Sequence, residues 1–319
     1  VTLFDTAALQ DATRIVRKHL PPTPQYRWPL LAEATGAEVW VKHENHTPTA
    51  AFKVRGGLVL MDGRHAAGLD GPVVTATRGN HGQSLALAGR AYGIDVRIVV
   101  PEGNDPDQND SMRAFGAEVI VHGRDFQVAR EHAAELAGRT GGTLIPVFHP
   151  DLVRGVATYA AELFDAAGEL DAVYVPIGMG SGICGLITVR DLLGLRTRII
   201  GVVAAGAPAY ALSFAAGRVV STETADTFAD GVATRSPDPA ALEIILAGAT
   251  DVLQVSDDQI RAALRLMYRA THNVAEGAGA VALAGLMSDR DRHAGGRIGV
   301  VLSGGNVSGA RLAAALTAS

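Results

Sequence analysis

The chain reads as an α/β protein with two open, mostly parallel lobes, on three observations. Short β-branched runs alternate with stretches of helical periodicity, the pattern of strands joined by crossover helices. The runs are apolar on both faces, as strands covered by helices on each side must be. Glycine-rich turns follow several of them, at the carboxyl ends where open sheets of this kind bind ligands. The 319 residues are 48% hydrophobic. That is ample for a large core, built as one big domain or two smaller ones.

Six strands are expected: "GPVVTAT" (71–77), "DVRIVVP" (95–101), "AEVIVHG" (117–123), "DAVYVPIG" (171–178), "TRIIGVV" (197–203) and "GRIGVVLSGG" (296–305). Asp125 reads as the N-cap of a helix on which Phe126, Ala129, Ala133 and Leu136 share a face. Ser256 and Gln259 form a capping box ahead of Ile260, Ala263, Leu264 and Met267 at helical spacing. "HPDLVRGVATYAAELFDAAG" reads as one long helix. A strand set ends near 121 and a new one begins near 171, which puts the division between lobes near residue 148.

Composition removes several classes of function. The net charge is −5, with no Lys/Arg block, so no basic face is offered to nucleic acid. Cys184 is the only cysteine. It excludes an intrachain disulfide or a Cys-based zinc site and fits a reducing, cytoplasmic setting. "VTLFDTAALQ" lacks the basic start and apolar core of a signal peptide. The uncharged stretch from Ala172 to Val189 contains Pro176 and several glycines, and falls short of the ~20 apolar residues a membrane span needs. A strand, a turn and a helix account for it, and no membrane partner is expected.

Three turns and one lysine carry chemistry. In "YVPIGMGSGICGLITVRDLL", Gly178, Gly180, Gly182 and Gly185 allow a tight turn and close backbone approach before a helix. Its unpaired N–H groups and positive dipole end suit a phosphate. Gly180 to Gly185 also match a dinucleotide fingerprint, but the acid expected after the next strand is replaced by Val203-Ala204-Ala205, which disfavours NAD. Cys184 reads as a small core residue, since a thiol away from positive charge is inert. The second turn, "TRGNHGQS", holds Thr77, Arg78, Asn80 and His81 between a strand and a helix. Thr77 and the turn backbone suit a carboxylate; Asn80 suits a phenolic oxygen. The third, "LSGGN", puts Ser303 at a strand end, as a helix-capping hydroxyl or as a neutral partner for a ring nitrogen. In "TAAFKVRGG", Lys53 stands alone among apolar neighbours. Its ammonium either reaches water along an apolar stem, or its amine sits in a pocket, where desolvation favours the neutral form that attacks a carbonyl.

Together "FKVRGG", "TRGNHGQS", "GMGSGICG" and "LSGGN", in that order over essentially the whole chain, resemble the fold-type II family of pyridoxal-phosphate (PLP) enzymes. The branch they resemble holds the threonine/serine dehydratases and serine racemase. The resemblance implies a tryptophan synthase β-like fold, with a large PLP-binding domain of residues 1–67 and 149–319 and a small domain of 68–148. It implies that Lys53 forms the Schiff base with PLP and removes the substrate α-proton. Phe52 lies near the cofactor; Gly178, Met179, Gly180, Ser181 and Gly182 cradle its phosphate; Asn80 bonds its 3′-oxygen; Ser303 meets its ring nitrogen. Glu276 lies near the cofactor, or else caps the helix that follows it. Thr77, Arg78, Asn80 and His81 are the expected substrate-binding residues. A neutral serine is a weaker electron sink than a charged pyridinium pair and suits loss of a β-leaving group, with the electronics supplied by the cofactor.

Three departures from the family pattern refine the expectation. Arg78 stands where serine racemase has its second acid/base serine. Arginine does not deprotonate in proteins, so racemisation is disfavoured, and Arg78 either binds a second anionic group on the substrate or points away into a salt bridge. Val203, Ala207 and Ala209 occupy the positions that match the cation ligands of relatives, so no metal is expected there. Ala51 replaces a usual serine before Phe52. The implied activity is an ammonia-lyase acting on a threonine- or serine-like amino acid, in the cytoplasm and as a homodimer. A 3-hydroxyaspartate substrate is an alternative, as is an amino acid derived from hydroxyectoine, given overall similarity to dehydratase-like proteins proposed for its breakdown. β-Replacement synthases, racemases, an NAD-binding oxidoreductase and a non-catalytic ligand-binding protein remain as rival readings.

Overall fold

A computed structural model describes residues 3–69 and 71–317. Its strands are β1 (Gln25–Arg27), β2 (Glu38–His43), β3 (Val73–Ala76), β4 (Val96–Val100), β5 (Glu118–Val121), β6 (Thr143–Leu144), β7 (Ala172–Pro176), β8 (Arg198–Ala204), β9 (Asp251–Val255) and β10 (Arg297–Leu302). They form a six-stranded sheet in the order β1-β2-β10-β7-β8-β9 and a four-stranded sheet in the order β5-β4-β3-β6. Of the pairings between these strands, only β1–β2 is antiparallel. The expected α/β fold with mostly parallel sheets is what the chain adopts.

Both faces of the larger sheet are covered, which is why its strands are apolar throughout. Tyr174, Ile200, Val202 and Val300 pack with the Asp257–Thr271 and Gly277–Ser288 helices on one face. Val173, Val175, Ile199 and Val203 pack with the Thr158–Ala167 and Ser181–Leu192 helices on the other. The smaller sheet repeats the design. The Phe126–Thr140 helix covers one face through Ala129 and Ala133. The Lys53–Ala66 and Asn80–Tyr92 helices cover the other through Val54, Leu58, Met61 and Leu85. Each of the buried Val, Ile, Leu and Met side chains contributes about 1.5–3 kcal/mol by leaving water. No helix among the described residues is long and apolar enough to cross a membrane.

Local signals hold where they are strong. Asp125 accepts from the Gln127 and Val128 amides. Ser256 and Gln259 close both bonds of the capping box. The expected single helix after His149 is instead two, Pro150–Val156 and Thr158–Ala167. Thr158 Oγ1 donates to the Gly155 carbonyl at 2.8 Å and accepts from Arg55 Nη1 at 3.0 Å. The side chain competes with the helical ladder at that point and is held by a distant arginine, which breaks the run at Ala157.

Candidate active site

The site is assembled from the carboxyl ends of neighbouring strands. β2, β10 and β7 lie side by side. After β2 the chain runs to Lys53, after β10 comes Ser303, and after β7 comes the glycine turn. From the smaller sheet, β3 ends at Ala76 and delivers Thr77 to Asn80. The loop into Lys53 is stitched to the loop after β10. The Phe52 amide donates to the Ser303 carbonyl at 3.0 Å, and the Gly305 amide to the Ala50 carbonyl at 2.9 Å. Ala50 takes φ 50°, in the left-handed region that alanine disfavours; such strain survives only where surrounding contacts fix it.

Lys53 opens its helix, and its Nζ lies 5.1 Å from the centre of the Phe52 ring. Phe52 in turn meets Tyr159 edge-on, with centroids 6.2 Å apart. Burial lowers the Lys53 pKa to about 8, with Glu276 pulling the other way. Glu276 occupies the N-cap position of the Gly277–Ser288 helix, yet its side chain makes no capping bond. Oε1 instead accepts from Asn80 Nδ2 at 2.7 Å. Burial pushes the Glu276 carboxyl up to about 7, against the Asn80 hydrogen bond, with the Asp230 charge adding to the rise and Lys53 opposing it. His81 is buried and has Nε2 without a partner. Burial, then the Lys53 charge, pushes its pKa down to about 3, so the ring is neutral.

The glycine turn ends at the N-terminus of the Ser181–Leu192 helix. Gly180 takes φ 98°, and a Cβ on it would sit 2.7 Å from Ala241 Cβ. A Cβ on Gly178 would sit 2.3 Å from the Gly231 carbonyl oxygen. Only glycine closes this turn, which is fixed by Tyr210 donating to the Met179 carbonyl at 3.0 Å, Thr234 to Gly178 at 3.1 Å and Tyr159 to Gly182 at 2.9 Å. Ser303 is buried, and among the described residues its hydroxyl finds only the Ala278 carbonyl, at 3.4 Å. Phe52, Tyr159, Gly182 and Ser303 line one cavity.

Not every expected residue converges equally. Thr77 Oγ1 accepts from the Gly79 amide at 3.2 Å, forming its own turn. Arg78 is exposed and makes no ion pair among the described residues. Cys184 is buried, and burial pushes its thiol pKa up, as expected of an inert core cysteine. Val203, Ala207 and Ala209 are buried apolar residues, and no three His, Cys, Asp or Glu side chains among the described residues gather as metal ligands.

A buried charge cluster behind Lys53 had no reading in the sequence. Arg55 is fully buried and bonds Glu44 Oε2 and Glu162 Oε1, each at 2.7 Å. Glu162 also takes Lys42 and Arg17, and Thr23 donates to Glu44. Their separations along the chain, up to 139 residues, leave no local spacing to detect. Asn306, the last residue of "LSGGN", has no chemical signal of its own in the sequence; it bonds both Asn80 and the Thr49 carbonyl.

The donor set fits pyridoxal phosphate. A partly buried amine, a turn of backbone N–H groups at a helix N-terminus and an underused buried hydroxyl are the groups that aldehyde, phosphate and ring nitrogen require. The fold and this constellation define a lysine-based cofactor enzyme of the fold-type II kind. The chain belongs to the family described as pyridoxal-phosphate dependent enzyme, whose pattern matches residues 16–304, and PLP is its cofactor. The L-threonine ammonia-lyase of Geobacter sulfurreducens is 32% identical over 300 residues, 94% of this chain and 75% of that protein. The L-threo-3-hydroxyaspartate ammonia-lyase of Saccharomyces cerevisiae is 30% identical over 308 residues, 95% of this chain and 93% of that one. The biosynthetic L-threonine dehydratase of Pasteurella multocida is 32% identical, and the chain spans 56% of its length. Among solved structures, the processed form of threonine deaminase isoform 2 from Solanum lycopersicum superposes with a TM-score of 0.91 at 30% identity, covering 98% of this chain and 93% of that one. Maize serine racemase superposes at 0.90 with 25% identity, covering 97% and 95%.

Proposed function

We propose that the chain is a PLP-dependent ammonia-lyase that converts a threonine- or serine-like amino acid to a 2-oxo acid and ammonia. The observation that carries this reading is the neutral, buried Ser303 hydroxyl at the end of β10, which lines one cavity with Phe52, the ring beside Lys53 Nζ. When bound, PLP supplies the electron sink that acidifies the substrate α-hydrogen. Lys53 holds the cofactor and, as a neutral amine, takes the α-proton. The backbone from Gly178 to Gly182 would bind the phosphate, Phe52 would pack beside the ring, and Asn80 and Glu276 would flank it. The Thr77–His81 turn binds the substrate carboxylate. One water leaves with the β-hydroxyl and one is consumed by hydrolysis, so the net products are the oxo acid and ammonia. Release of 2-oxobutanoate from L-threonine tests the reading; exchange of the α-hydrogen without oxo-acid release contradicts it.

A second substrate is favoured by Arg78, an exposed guanidinium without an ion-pair partner among the described residues. A β-carboxylate, as in 3-hydroxyaspartate, suits it by bidentate pairing, and the yeast relative bears that substrate in its name. Arg78→Ala then lowers kcat/KM for 3-hydroxyaspartate while leaving that for threonine within about twofold, since only the former loses a charge-assisted bond. Equal effects on both substrates contradict the assignment. The reading also includes a homodimer in the cytoplasm, and a division into residues 1–67 with 149–319 and 68–148, for which the two separate sheets are the support.

A further inference from the structure

Asn306 has no part in the chemistry above, yet it joins two segments that do. Its Nδ2 donates to the Thr49 carbonyl at 2.7 Å and to Asn80 Oδ1 at 2.7 Å. Asn80 Nδ2 then donates to Glu276 Oε1 at 2.7 Å. Thr49 lies in the loop that leads to Lys53, and Asn80 opens a helix on the smaller sheet. The chain of amides has a direction. A backbone carbonyl only accepts, so Asn306 must present its NH2 group there. Asn80 must therefore turn its oxygen toward Asn306 and its own NH2 group inward. Turning the Asn80 amide over would set two NH2 groups face to face and aim an oxygen at the Glu276 carboxyl. Gln108 holds the Asn306 backbone from the other side, with Nε2 at 3.4 Å from its carbonyl, and Gln83 holds Gln108 at 2.7 Å.

We propose that Asn306 is a positioning residue: it fixes the polarity of the Asn80 amide, so that an N–H and not an oxygen faces the phenolic oxygen of PLP, and it ties the Asn80 turn to the Lys53 loop. This rests on the proposed role of Asn80. A donor to the phenolic oxygen sets both cofactor affinity and the balance of its absorption bands, and neither quantity follows from a purely structural role.

The test compares Asn306→Ala, Asn306→Asp and Asn80→Ala with wild type. Asn306→Asp puts an acceptor where the Asn80 oxygen and the Thr49 carbonyl both require a donor. PLP binding is expected to weaken by about tenfold, the scale of one well-placed hydrogen bond. The long- and short-wavelength bands of the bound cofactor are expected to shift in the same sense as in Asn80→Ala. In an Asn80→Ala background, Asn306→Ala is expected to add less than about a twofold change, because it acts through Asn80. Affinity and spectrum within twofold of wild type, or a full effect that persists without Asn80, overturns the proposal. Deuterium exchange of the cofactor-free protein separates this from the role of Asn80. If Asn80→Ala leaves the spectrum unchanged, the phenolic assignment fails. Faster exchange in peptides around residues 78–82 of Asn306→Ala still supports the tie, and unchanged exchange overturns it.

Discussion

The two faces of the helix that begins at Lys53 hold charge in opposite ways. Residues two apart on a helix point about 200° away from each other, so Lys53 faces the site and Arg55 faces the interior. Around Arg55 every charge is matched: Glu44, Glu162 and Lys42 pair with one another or with it, and Thr23 and Thr158 fill remaining positions. Burial works against ionisation of Glu162, but the hydrogen bonds and charge of Arg55, with Lys42, hold its carboxyl below the usual range. Around Lys53 burial outweighs the opposing charge of Glu276. Its amine falls to about 8, Glu276 rises to about 7 and His81 falls to about 3. Complete pairing locks protonation and builds structure. Incomplete pairing brings the protonation of Lys53 and Glu276 near neutral pH, where a proton can be moved, and leaves His81 neutral.

The largest effects should divide the two faces cleanly. Lys53→Ala is expected to lower oxo-acid production by at least about a thousandfold, through loss of the proposed nucleophile and base. With both proteins free of cofactor, its urea midpoint should stay at or above wild type, because a costly buried amine is gone. A variant that unfolds at much lower urea would place Lys53 among the structural charges. Arg55→Met is the converse. It leaves Glu44 and Glu162 buried without their cation and is expected to cost about 3–5 kcal/mol in urea unfolding. A loss under about 1 kcal/mol would show that the network adds little to folding.

Smaller effects sharpen the contrast through pH. The Glu276 carboxyl titrates near 7 in the folded protein against an ordinary value of 4.5, so folding favours its neutral form. Its contribution is therefore full below about pH 4.5 and is lost as pH rises through about 7. Glu276→Gln is expected to flatten that decline in the cofactor-free protein, measured by urea unfolding at pH 5 and pH 8; an unchanged slope would mean the carboxyl is ionised throughout. Smallest is Ser256→Ala, which removes a cap remote from both charge sets. It should cost about 1 kcal/mol and leave turnover unchanged.

What the chain reveals by itself follows the range of the forces involved. The six expected strands form as β3, β4, β5, β7, β8 and β10 because continuous apolar runs between turns are local signals. β1, β2, β6 and β9 escaped notice. β2 carries Lys42 and His43, which look like surface residues until Glu162, 120 positions away, and Trp28 supply partners. β6 has two residues, both exposed, and no hydrophobic pattern to offer. Motif residues were legible because turn geometry and chemistry constrain them over a few positions. Asn306 was not, because its meaning depends on Asn80, 226 positions away.

The most direct test of the central claim uses the chain's three lysines, Lys18, Lys42 and Lys53. The purified, PLP-loaded protein is reduced with borohydride, and its peptides are mapped by mass. Loss of the visible band with a pyridoxyl mass on the peptide containing Lys53 is the predicted result. A label on Lys18 or Lys42, or a band that survives reduction with Lys53 unmodified, would contradict the assignment of the reactive amine to the underpaired face of the helix.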